Sequence, residues 1–94
     1  MNGTIHAREV KIDVTGFADY VFDQNYKLMP LNKVEQYVKA NSHLPDIPSA
    51  TEVGKNGINI GEMQNKLLQK LEELTLYVIE QQKQIEQLKQ ELKK

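Results

Sequence analysis

His6 and His43 are the first residues that could carry chemistry, and neither has the neighbours for it. They have neither each other nor a carboxylate at the spacing of a metal-binding motif. Three copies of His6 around the axis of a trimer could hold an ion, but a solvent-facing side chain is the plainer reading. His43 is expected to cap the C-terminal end of a helix, where a cation opposes the negative end of the dipole. Asp13, Asp19 and Asp23 lie close in sequence and near turns, where carboxylates bond local backbone amides. Gly54, Gly57 and Gly61 do not space as a phosphate-binding loop, and the histidines lack partners for a Ser/His/Asp nucleophile. The absence of Cys removes disulfides, thiolate metal sites and Cys nucleophiles together, while leaving the compartment open. The expectation is a non-enzyme with no catalytic, cofactor-binding or metal-ligating residues.

The spacing that does recur belongs to an element. Leu67, Leu71, Leu74, Val78, Gln81, Ile85, Leu88 and Leu92 follow one another in alternating steps of four and three. That is a heptad seam, with Leu71, Val78, Ile85 and Leu92 at a, and Leu67, Leu74, Gln81 and Leu88 at d. No Gly or Pro interrupts it after Gly61. A helix of about 33 residues would be roughly 50 Å long, longer than a small domain is wide. Its far end has nothing of its own chain to meet, so the seam is expected to meet copies of itself or a partner's helices. Val78 and Ile85 at a, with Leu at d, lean towards a parallel dimer. Leu at two a positions weakens that lean, and Gln81 at d suits a polar layer in a trimer. The heptads alone leave the two open.

The chain has 94 residues, enough for one small domain, and the helix takes a third of them. Twelve basic against thirteen acidic residues leave it near neutral, without a basic tract for nucleic acid or an anionic membrane. No apolar run is long enough to span a bilayer, and the N-terminus lacks a signal-peptide pattern. Met1-Asn2-Gly3 reads as the start of an excised fragment.

The elements before the seam divide in order. Residues 1–16 hold an alternating stretch, Val10, Ile12 and Val14 against Lys11 and Asp13, which predicts a half-buried strand ended by a Thr15-Gly16 turn. An edge strand is the ordinary reading; pairing with a neighbouring subunit is the functional one. Residues 17–58 are expected to form a compact cap. Phe17, Tyr20, Phe22 and Tyr26 supply its aromatic core. Pro30 suits the first turn of a helix over about 31–41, with Leu31, Val34, Tyr37 and Val38 on one face. Leu44 and Ile47 are expected to pin the following proline-rich connector. Ser49 to Glu52 forms a capping box opening a short helix over about 50–55, and Asn59 to Glu62 repeats it to launch the long helix over 59–94. Met63, Leu68, Leu76, Tyr77 and Ile79 lie off the seam, so the first half of that helix is expected to be packed on several sides and the second half to be a bare stalk. The fold class is thus mostly α with a short N-terminal β segment: a small α+β cap followed by a long helix forming a parallel, trimeric coiled coil.

The strings GTIHAREVKIDV, GFADYVFDQNYKLMPLNKVEQYVKANSHLPDIPSA and NGINIGEMQNKLLQKLEELTLYVIEQQKQIEQLK together resemble a module at the C-termini of tail-fibre-like and surface proteins of Bacteroidetes bacteria and their phages. The resemblance covers nearly all of residues 3 to 90. It implies a trimeric fibre end with a C-terminal coiled coil, following long repetitive fibre segments that are missing here. The Ser–Asp-type self-cleaving chaperone signature of some tail fibres is absent, so autoproteolysis is not implied. The expected function is structural trimerisation at the end of a fibre on a virion or cell surface, registering the chains through the coiled coil. The expected partners are two further copies, then a second copy alone, then other fibre or surface proteins, with no nucleic acid, membrane insertion or cofactor. The alternative is a receptor- or glycan-binding tip, or an adaptor whose helix docks on another protein.

Overall fold

The computed structural model describes residues 3–14 and 16–93. Three helices, α1 (Leu31–Asn41), α2 (Ala50–Asn56) and α3 (Ile60–Leu92), follow a single 3₁₀ turn at Tyr20–Phe22. The described residues are mostly helical and hold no strand. The alternating stretch before Gly16, expected as a strand, has no ladder among the described residues. Its first apolar side chains stay in water, Ile5 being 87% and Val10 67% exposed, whereas Ile12 is 43% exposed and Val14 half-buried beside Gly61 of α3. Thr15, half of the expected turn, lies outside the described residues, and Gly16 takes a φ of 69°.

Each helix boundary has a local cause. Pro30 is the cap of α1 rather than part of its first turn, and its carbonyl accepts from the Lys33 and Val34 amides. Ser42 ends α1 in the left-handed region with its amide donating to the Val38 carbonyl at 2.8 Å. His43 does not cap that helix. Its Nδ1–H donates to the Leu44 carbonyl at 2.9 Å, and its ring meets Tyr37 edge to face at 5.4 Å. In the connector, Ile47 N donates to the Leu44 carbonyl across Pro45 and Asp46, whose φ is 68°. Proline followed by a positive φ is the pattern of a type II turn. Pro45 is the buried residue there, whereas Leu44 is 45% exposed, so Leu44 does not pin the connector as expected.

Both expected caps form at the elbow before α3. Ser49 Oγ accepts from the Glu52 amide, and Asn59 Oδ1 accepts from the Glu62 amide, each at 3.2 Å. Glu52 returns to the Ser49 hydroxyl at 3.5 Å rather than to its amide. Gly57 lies between them at a φ of 71°, where a side chain would be strained.

The interior is small. Ala18 and Val21 are its buried apolar residues, and Phe17 and Phe22 are 61% and 54% exposed. The aromatic segment therefore contributes its small side chains to the interior, and its Phe rings remain outside. The molecule measures 65 × 32 × 26 Å, with a radius of gyration of 18.1 Å. A compact domain of this length would have about 12 Å. The excess is α3: every residue from Val78 to Lys93 is exposed.

Candidate functional site: the two faces of the long helix

One face of α3 holds its own chain by polar contacts. Asn65, Gln69, Glu73 and Tyr77 recur at steps of four and meet the segment 16–29 in ascending order. Asn65 Oδ1 accepts from the Ala18 amide at 2.6 Å, and its Nδ2 donates to the Gly16 carbonyl at 2.9 Å. Gln69 is only 9% exposed; its Oε1 accepts from the Tyr20 hydroxyl at 2.6 Å and its Nε2 donates to the Tyr26 hydroxyl at 3.2 Å. The Tyr26 hydroxyl donates to Glu73, and the Tyr77 hydroxyl to the Met29 carbonyl. Segment 16–29 is thus an arm that climbs α3 parallel to it. At 3.6 residues per turn a row of steps of four drifts by about 40° per step. Asn65 lies about opposite the seam and Tyr77 beside it, so the arm winds round the helix and delivers α1 to one flank of the seam.

The ladder is electrostatically closed. Burial, and next the Glu73 carboxylate, push the Tyr26 hydroxyl up to about 12, so it remains a donor throughout the neutral range. Burial and then the Glu73 charge raise Tyr77 likewise. Glu73 is balanced by Lys70 Nζ at 3.0 Å, which also reaches Asp46 at 3.4 Å and ties the connector to α3. Beside this row Glu72 is 8% exposed, and its Oε1 has no hydrogen-bond partner. Burial first, then the Asp19 charge and a hydrogen bond with that carboxyl, raise it above the usual range. Asp23 behaves as an ordinary turn carboxylate, accepting from the Asn25 amide at 2.9 Å.

The opposite face is apolar and exposed. Leu67, Leu71, Leu74, Val78, Ile85, Leu88 and Leu92 are 48–85% exposed, and Gln81 is exposed among them. The fold divides these eight residues. Val78, Gln81, Ile85, Leu88 and Leu92 lie on the free shaft. Leu67, Leu71 and Leu74 form the floor of a groove of about 420 Å³, walled by Leu31 and Val34 of α1, by Leu44 and Pro45, and by Tyr77. No residue of α1 is buried, although its apolar residues fall on one face. Off the seam, Met63, Leu68, Leu76 and Tyr77 are half-buried, as expected for the first half of the helix, but Ile79 is 46% exposed.

Sequence reasoning places the seam but misses the ladder. Its signal was present as polar Asn65, Gln69 and Glu73 at four-residue steps within an otherwise apolar half. The groove had no such signal, since it depends on where the arm leaves α1. Among the described residues no three His, Cys, Asp or Glu come together as metal ligands, and no helix is long and apolar enough to cross a membrane. Comparison with family models, with curated proteins and with solved structures finds no match to this chain.

Proposed function

We propose that this chain is a structural oligomerisation module, a parallel homotrimer held by the α3 seam at the end of a tail-fibre-like or surface fibre protein. The observation that carries the reading is the seam itself: seven large apolar side chains aligned on one face of a 33-residue helix, all about half-exposed or more. Fully burying such a side chain is worth about 1.5–3 kcal/mol. Completing the burial of seven half-exposed ones gives roughly 5–10 kcal/mol per chain, of the order of the cost of association. Assembly is then stable but concentration-dependent.

Three chains rather than two are favoured by Gln81, whose amide joins two others in a central polar layer, and by the resemblance to trimeric fibre ends. Zipping α3 brings three copies of residues 4–14 together at high effective concentration, where the unpaired alternating stretches can pair between chains as the β segment. The site of action on this reading is a virion or cell surface. Replacing Leu74 and Val78 together by Asp should convert the particle to monomer in sedimentation equilibrium at micromolar concentration. A persisting trimer sinks the proposal.

A further inference from the structure

We infer that the groove between α1 and α3 is completed by the α3 helix of a neighbouring copy, so that each cap grips the next chain. The inference rests on the self-association reading and goes beyond it, because a coiled coil needs no such lateral wall.

The groove's floor is Leu67, Leu71 and Leu74, which belong to the seam. Whatever meets the seam therefore fills the groove, and a free peptide or small apolar ligand would have to displace it. The groove lies on one flank only. Its lining residues on that flank, Lys70 and Tyr77, occupy g positions of the heptad, and in a parallel assembly the g side of one helix faces the e side of the next. The e side suits an apolar wall: it carries Leu68 and Thr75, and the Thr75 hydroxyl is tied back onto the Leu71 carbonyl at 2.8 Å. The walls need such an occupant. Leu31 and Leu44 are 44% and 45% exposed, and no residue of α1 is fully buried, Val34 being only half-buried. The rim is polar and already paired through Lys70, Asp46 and Glu73, leaving the centre apolar. A cyclic arrangement repeats this contact at every interface, each groove taking the next helix until the ring closes.

The test is an isotope-filtered NOE experiment on a mixture of ¹³C-labelled and unlabelled full-length chains. Methyls of Leu31, Val34 and Leu44 in the labelled chain should show intermolecular NOEs to Leu71, Leu74 or Thr75 of the unlabelled one. Val34→Asp, which leaves the seam intact, should weaken the trimer at least tenfold. Intermolecular NOEs confined to the seam residues, or unchanged affinity of Val34→Asp, overturn the groove while leaving self-association standing. A monomer with no intermolecular NOE overturns both.

Discussion

Tyr26 and Glu72 show how single side chains set the character of this fold. Tyr26 donates to Glu73 and accepts from Gln69, so Tyr26→Phe leaves both partners short of a bond in a half-buried place. Hydrogen bonds to charged groups contribute about 1.5–3 kcal/mol, less where water reaches them. A loss of about 1–2 kcal/mol is expected in urea unfolding at fixed chain concentration. Because the folded state holds this hydroxyl up to about 12 against an ordinary 10.0, its contribution is complete below pH 10 and fades as pH rises through 12. Glu72 acts with the opposite effect at neutral pH. Its carboxyl is raised by burial and by Asp19, so the folded state holds the proton more tightly than the unfolded one. Its contribution is therefore fully present below the ordinary value of 4.5 and is lost as pH climbs through the raised one. Glu72→Gln removes the charge and keeps a donor towards Asp19. It should raise the thermal midpoint at pH 7 and leave it nearly unchanged in acid. Parallel midpoint-against-pH curves for the two proteins would contradict this assignment.

At the scale of elements, the elbow before α3 is where the N-terminal segment meets the helix. A Cβ on Gly61 would lie 2.8 Å from Ile12 Cγ2 and 3.5 Å from Val14 Cγ2. Gly61→Ala should therefore retain or slightly increase helicity, alanine favouring a helix by about 1 kcal/mol, while lifting residues 12–14 off α3. Trypsin should then cleave after Lys11 several-fold faster than in the parent; an unchanged rate would mean that the segment is not held there.

The helices were legible because their signals are local. Caps at Ser49 and Asn59, Pro30, and the heptad depend on residues a few positions apart, and α1 and α2 begin and end within a residue of the expected ranges. The alternating stretch before Gly16 was legible only as a pattern, since alternation marks two faces but does not supply the second strand that a ladder needs. Hydrophobicity alone predicts the Phe side chains of the arm inside, yet Phe17 and Phe22 are 61% and 54% exposed. The arm instead docks through Tyr hydroxyls and backbone groups, and its register is set by Asn65 and Gln69, distant from it in sequence. A heptad marks the seam as a site but does not reveal that α1 would stand beside it.

For the whole molecule, the two faces of α3 impose a division of labour. The polar row orients one chain's own arm, connector and α1, and hydrogen bonds with fixed partners suit that task because they specify register. The apolar row is non-directional and strong, which suits association. The cap buries Ala18 and Val21 as its apolar interior, too little for a domain of this length to rest on alone. Cap folding and chain association should accordingly be one cooperative event.

The central claim is most directly tested by sedimentation equilibrium of the unmodified chain across a concentration series from about one to a hundred micromolar. The account predicts a single species of three times the chain mass at the upper end, dissociating on dilution with loss of helicity. A particle of one chain mass at every concentration, with full helicity, would contradict it.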